Sequence, residues 1–469
     1  MMDLQQKKTV YRTVMIAFGV MAFLYAIYVA VAKMSVPIMD YWRWIAVYGQ
    51  DVLDGTVTFA DWFRSDAGQH IHPLSMMITF FMLKLFHFDV VPLVVCGMLL
   101  RILVAGGLTV FFVLRFRKEE RETPVRLSLF AVAVALSVLN FNQWEAALEP
   151  FSLAFMLRVT LFYASFYMAD RFVGGLEERS TAKNLLYGAC LGAYCGLLTV
   201  FASSAYFVGH LVAIGLAILW GLWCKRRALV RFLAPAFLWF VLSLAGAIVY
   251  YILFRARADA AVPTGVLQQI FPVLQGIVCF WGSMVVHQTV SDFLGLGIVT
   301  AVGLLLLAFT VWVTFYYIRL HKDGKSLFPL ICVLYAFLTG AVIAVGRVGS
   351  YGVATMTSSR YVVESAIGLV GMIFMAYDVL TKKDFSLQVK RLFCGVMVFS
   401  LVWLSASTGM ELCTMPSRRA YSERLREKML IIDALDDDAL GEFQANSPDD
   451  VRYCVEFFKE NGLSIFKDR

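Results

Sequence analysis

The chain has 469 residues, of which 60% are hydrophobic and only 16% charged, and its mean hydropathy is +0.72. Soluble domains run near 45–50% apolar and about 25% charged, and no single core hides such an excess from water. A soluble enzyme, a disordered chain and a coiled coil are therefore excluded, and the balance of 41 Lys plus Arg against 34 Asp plus Glu, net +7, reads as basic cytoplasmic loops and not as nucleic-acid binding.

Lipid offers backbone groups no hydrogen bonds, so spans are helices or a closed barrel. The apolar runs here are continuous and long, which selects helices. Lys7, Lys8 and Arg12 precede a first run from Thr13 to Ala32, long enough to span and longer than a signal-peptide core. The segment 34–73 follows with five acids (Asp40, Asp51, Asp54, Asp61, Asp66) and two bases (Arg43, Arg64), net −3. Within it, 39–54 predicts an amphipathic helix lying in the headgroup plane. Met39, Trp42, Ile45, Ala46, Gly49 and Leu53 form its apolar stripe, with Trp44 and Val47 on the polar side. Further runs cover 74–88, 90–114, 127–141, 153–170, 185–202, 205–223, 229–254, 292–318, 327–346, 361–380 and 392–409. Residues 265–287, interrupted by Gln268, Gln269, Pro272 and Gln275, read as a re-entrant or lipid-surface segment. No internal repeat is visible. The expected fold is an all-α, polytopic membrane protein of about 11–13 transmembrane helices: a membrane domain over 1–409 and a small helical tail over 410–469.

Basic clusters at Lys7–Arg12, Arg115–Arg126, Arg171–Lys183, Lys225–Arg231, Arg319–Lys325 and Lys382–Arg391 place those turns in the cytoplasm. The segments 34–73, 142–152, 255–290 and 346–360, and the tail, then face outward, and the N-terminus is cytoplasmic. One conflict stands: between 73 and Arg115 parity needs one or three crossings, yet two runs are visible. Either 74–88 only dips into the membrane or one basic loop breaks the rule. The tail carries 9 basic and 13 acidic residues, net −4, against +11 for the first 409. Its apolar positions (Leu425, Met429, Ile432, Leu435; Val451, Val455, Phe458) suggest two short amphipathic helices around the acidic turn Asp436–Asp438, with a boundary at Ser447-Pro448. Cys413 and Cys454, its only cysteines, are either a disulfide closing a loop of about 40 residues or two free thiols. The other seven cysteines lie in or beside apolar runs and act as small hydrophobes.

Candidate chemistry gathers in the outward segments. Asp40, in Val36-Pro37-Ile38-Met39-Asp40-Tyr41-Trp42, is either a base for an attacking hydroxyl or a solvated helix-start acid. His70 and His72 suit substrate hydroxyls, a phosphate or a metal; a divalent metal is not favoured, because no third ligand is near. In Asn142-Gln143-Trp144-Glu145, Trp144 and Glu145 suit a sugar, the ring on the indole and hydroxyls on the carboxylate. The alternative is an interfacial Trp with a solvated Glu. Gly346-Arg347-Val348-Gly349-Ser350-Tyr351-Gly352, with Ser358-Ser359-Arg360-Tyr361, puts two arginines on an outward turn where the positive-inside rule does not expect them. Arg347, Arg360 and Tyr361 suit a phosphate, or the arginines pair with the acidic first loop or with headgroups. Arg101, Arg158, Glu364 and Asp378 lie in or near apolar runs, as functional charges, ion pairs or snorkelling ends.

A long outward loop after the first span, with an acid at its start and an amphipathic helix, resembles the C-type (GT-C) membrane glycosyltransferases. Gln69-His70 after a Trp/Asp stretch, Gln143-Trp144-Glu145 with Phe151, Gly346-Arg347 with Ser359-Arg360-Tyr361, and Asn461-Gly462-Leu463-Ser464-Ile465-Phe466 resemble a group of bacterial multi-pass proteins. The resemblance implies inverting transfer of a sugar from a polyprenyl-phosphate donor to an envelope glycan or lipid acceptor on the outer face. Asp40 would be the base, Arg347 and Arg360 would hold the donor phosphate, and Trp144, Glu145 and His70 would shape the sugar site, Glu145 at the family's second-loop acidic position. The group's Glu-His-Arg reads Gln69-His70-Ile71 here, its Trp-Glu-Asn reads Trp144-Glu145-Ala146, and Asp40 lacks a paired acid. A transporter or flippase for a lipid-linked saccharide and an envelope polysaccharide polymerase or ligase are the rival expectations.

Overall fold

The computed structural model describes residues 4–63, 73–117, 124–225, 229–255, 269–324, 326–382 and 385–467. It is helical throughout, with no strand among the described residues. In chain order the helices are α1 (Leu4–Ala32), α2 (Asp40–Asp54), α3 (Pro73–Leu85), α4 (Val91–Phe116), α5 (Pro124–Val138), α6 (Trp144–Leu148), α7 (Ser152–Gly174), α8 (Thr181–Phe201), α9 (Phe207–Cys224), α10 (Leu229–Arg255), α11 (Ile270–Ser283), α12 (Gln288–Leu294), α13 (Leu296–Leu320), α14 (Phe328–Tyr351), α15 (Ser359–Lys382), α16 (Leu387–Leu430), α17 (Asp437–Leu440) and α18 (Pro448–Asn461).

Among the described residues, eleven helices are long and apolar enough to cross a membrane. The chain is an all-α, multi-pass membrane protein. Helix α15 forms the axis: its spanning window is 100% buried, whereas that of α1 is 22% buried and largely faces outward. Over 74–115 the two helices differ in length. Helix α3 has 13 residues, about 20 Å at 1.5 Å per residue, short of a hydrocarbon core of about 30 Å. Helix α4, with 26 residues, is long and apolar enough to cross.

The two ends of the bundle differ. At one end sit the basic turns. There Arg115 donates to the Ser326 hydroxyl, Asp170 accepts the Leu327 and Phe328 amides, and Lys225 pairs with Glu177 at 3.4 Å. At the other end the first loop, the α3–α4 turn and the tail share one core. Met34 N–H donates to the Leu148 carbonyl (2.9 Å), Met39 N–H to Phe443 (3.1 Å) and Ser464 N–H to His87 (2.7 Å). Burying Trp42, Tyr41, Tyr48 and Phe458 here stabilises the assembly by roughly 1.5–3 kcal/mol per large side chain.

One expectation needs correction: helix α2 is covered by α3 and α18, and Trp44, assigned to its polar side, is 4% exposed. Its ring meets Phe151 at 5.4 Å between centroids. The periodicity misled because α2 buries two faces, not one. Helix α16 runs without interruption for 44 residues through position 410. The tail is its polar continuation, folded back onto the first loop. The segment read as re-entrant or lipid-surface is, from Ile270, a helix of 14 residues, shorter than the candidate spans and packed on α13 and α14, with Cys279, Phe280 and Trp281 fully buried. Cys413 and Cys454 are free thiols, the first exposed and the second buried. Cys454 points into the tail core and donates to the Trp42 carbonyl at 3.1 Å, so it has no approach to a partner on the open face of α16.

Candidate functional site

A cavity of about 380 Å³ opens at the end of the bundle that carries the tail. Its walls come from the α2 start, the α6–α7 turn, α7, the turn before α9, the last turns of α14 and the first turn of α15. Asp40, Glu149, Arg158, Tyr206, Arg347, Arg360 and Tyr361 supply its polar groups; Trp44, Phe151, Phe155, Val342 and Ile343 supply apolar wall.

Asp40 is the first residue of α2. The chain enters through Met39 at φ 53°, a left-handed conformation uncommon for a side chain of that size. That turn is held by the Met39 N–H bond to Phe443, and Asn446 Nδ2 donates to Asp40 Oδ1 at 3.0 Å. The tail thus fixes both the backbone before the acid and the acid itself. Tyr41 next to it donates to the Pro150 carbonyl at 3.0 Å and packs edge-on against Phe151 at 4.5 Å. These contacts clamp α2 to the α6–α7 turn.

That turn holds Glu149, which is 2% exposed yet lines the cavity. Burial, then the charge of Glu145, push its carboxyl well above the ordinary carboxylate range, against the opposing pull of Arg360 and Arg418. Glu149 was not singled out in the sequence; the cue was a second acid four residues after Glu145, directly before Pro150.

Arg347 sits on the last turn of α14, its guanidinium 5.5 Å from the Tyr351 ring centroid. Arg360 is exposed on the first turn of α15, its Nε bonded to Ser358 Oγ at 3.1 Å. Tyr361 follows at 7% exposure. Arg158 forms part of the deeper wall. It pairs with Glu364, which also accepts the Tyr335 hydroxyl, and its guanidinium lies 4.2 Å from the Tyr206 centroid. Among the intramembrane charges, Asp378 is paired to His321 (2.6 Å) and Lys382 (3.0 Å). Arg101 donates to Gln143 Oε1 (2.8 Å) and the Ala146 carbonyl (3.1 Å). Arg158 alone of this set reaches the cavity.

Two residues read as sugar-binding lie elsewhere. The Glu145 carboxylate accepts from Ser358 Oγ (3.0 Å), Ser359 Oγ (2.5 Å) and the Arg360 amide (2.8 Å). It caps the N-terminus of α15, where the helix dipole favours an anion. Trp144 is covered by the Arg418 guanidinium, 3.6 Å from its ring, and donates to Gln288 Oε1 at 3.4 Å. Arg418 in turn pairs with Glu411, which also accepts from Tyr28 and contacts His287. His70 and His72 lie outside the described residues, as does the metal reading attached to them; among the described residues no three His, Cys, Asp or Glu side chains gather at metal-binding spacing.

No family model, curated protein or solved structure matches the chain.

Proposed function

We propose that the chain is a membrane glycosyltransferase that moves a sugar from a polyprenyl-phosphate donor to an envelope glycan or lipid acceptor. The observation that carries this reading is convergence: Asp40 and, some three hundred residues later, Arg347, Arg360 and Tyr361 line one cavity that also has an aromatic and aliphatic wall. A carboxylate can take the proton of an acceptor hydroxyl. Guanidinium groups offer forked donors to a phosphate and stabilise the charge it gains on leaving. The apolar wall suits a prenyl chain entering from lipid. The GT-C family resemblance, with its first-loop acid, agrees with this assignment of roles. The basic turns lie at the opposite end of the bundle, which by the positive-inside rule supports a reading in which the cavity faces outward from a bacterial cytoplasmic membrane.

The test is transfer of label from a panel of polyprenyl-phosphate hexoses to envelope acceptors by membranes containing the protein. Covalent transfer that is lost in Asp40→Asn supports the reading. Movement of the labelled lipid between leaflets, with no transfer by the wild type, would replace it with a transporter.

A further inference from the structure

Asp40 suffices to remove the acceptor's proton, yet the cavity contains a second carboxylate. The backbone of Glu149 is fixed, its N–H on the Glu145 carbonyl (3.1 Å) and its carbonyl on the Ser152 amide (2.9 Å). Its side chain is 2% exposed and lines the cavity. Among the described residues, no hydrogen bond or ion pair reaches its carboxylate. The charged and titratable groups facing it are Glu145 on its own turn, Arg360 on α15, and Arg418 and Tyr421 on α16. Asp40 and Arg158 share the cavity. Neither nearby cation is bonded to it: Arg418 is engaged by both oxygens of Glu411, and the Arg360 Nε is engaged by Ser358. A buried carboxyl without a bonded cation keeps its proton. In a cavity lined by arginines it is then a donor directed at an anion, not a repelling charge.

We propose that Glu149 is a proton-donating catalytic residue, which binds the donor phosphate through its carboxyl O–H and protonates the phosphate oxygen as the sugar leaves. The inference rests on the glycosyl-transfer reading above. In the step, the acceptor oxygen bonds the anomeric carbon and its proton passes to Asp40. The bond between the anomeric carbon and the phosphate oxygen breaks, the electron pair stays on that oxygen, and the Glu149 proton joins it. The products are the glycoside and a polyprenyl phosphate monoanion, with Asp40 protonated and Glu149 ionised. Exchange with water in the open cavity then returns a proton from the first acid to the second.

The experiment uses the purified full chain and undecaprenyl phosphate as probe, with affinity measured from pH 6 to 9.5 for wild type and Glu149→Gln. Glutamine keeps the size and a hydrogen-bond donor but never ionises. The titration of the phosphate itself is common to both proteins, so the ratio of their affinities isolates Glu149. Near pH 6 the two should bind alike. Above the pKa of Glu149 the wild type should weaken relative to the variant by up to about tenfold per pH unit. The variant should also transfer sugar about 10²–10⁴-fold more slowly at neutral pH. A flat affinity ratio, with binding intact, overturns the Glu149 role and leaves the phosphate site standing. Infrared spectra add a ligand-free reading: the wild type at pH 7 should show a protonated-carboxyl stretch missing from the variant. If that band is present and neither protein binds the probe, the glycosyl-transfer reading fails, and the catalytic role of Glu149 with it. If the band is absent, Glu149 is ionised and the proposal fails whatever the binding shows.

Discussion

Asp40 and Glu145 show how far the surroundings of an acid depend on the assembled fold. Both lie in the first turn of a helix at the same end of the bundle, and both are candidates for contact with substrate. Glu145 is consumed by three donors at the start of α15, while Asp40 is half-buried at the cavity and holds a single tail amide. Asp40→Asn keeps the shape and removes the proposed base, so the protein should fold and insert normally while the proposed transfer drops by about 10²–10⁴-fold; near wild-type rates in such membranes would remove Asp40 from the chemistry. Glu145→Gln should do the reverse, lowering thermal stability by roughly 1–3 kcal/mol through a weakened cap and reducing activity only as far as α15 shifts. Arg347→Lys and Arg360→Lys keep charge but lose the fork. Donor affinity should fall at unchanged melting temperature, and a loss of stability with intact donor binding would make the pair structural. Glu149 adds a pH signature. Its folded carboxyl titrates well above the ordinary range, so between about 4.3, the unfolded value, and its raised folded value the native state holds the extra proton. Stability therefore falls as pH rises through that window. Glu149→Gln should lack that component of the fall, which thermal melts of both proteins across pH would reveal.

At the scale of elements, legibility followed the kind of signal. Long apolar helices announce themselves by length, and the spans from α4 to α10 lie close to the runs read from sequence. What one strand of sequence does not carry is which faces are covered from two sides. Helix α2 was visible, but the burial of Trp44 depends on Phe151, more than a hundred residues away. The tail helices were visible too, but not their grip on Asp40 through Phe443 and Asn446. That grip makes a prediction. Phe458→Ala, at a fully buried site in the shared core, should cost about 3–5 kcal/mol. It should loosen the tail in hydrogen exchange and lower transfer without touching the cavity; unchanged activity with a mobile tail would show that Asp40 needs no such support. Another pairing was written in the sequence and passed over: Gly188, Gly192 and Gly196 recur at four-residue spacing on α8. A Cβ on Gly192 would sit 2.8 Å from the Trp239 Cα, and one on Gly246 would sit 2.4 Å from the Gly196 Cα. Small residues let helices approach this closely in lipid. Gly192→Leu should separate α8 from α10 and lower the melting temperature, whereas a bulky side chain at Gly107, with open space around it, should be tolerated.

For the whole molecule, composition and charge distribution were enough to read an all-α membrane protein, and the alternation of basic turns agrees with the helix ends the structure brings together. The cavity was half legible. Arg347, Arg360, Tyr361 and Asp40, which line it, stand out in sequence because unexpected arginines and a loop-start acid are local signals. Glu149 does not, because its place in the cavity comes from burial, a property of the assembled turn. The central claim is that these groups receive the phosphate of a polyprenyl lipid. The measurement that tests it most directly is an experimental structure of the protein with bound undecaprenyl phosphate. The account predicts phosphate density between Arg347 and Arg360, within hydrogen-bond reach of Glu149 and beside Asp40, with the prenyl chain leaving along Phe155 and Ile343. Phosphate density at any other place on the molecule, with this cavity empty, would contradict it.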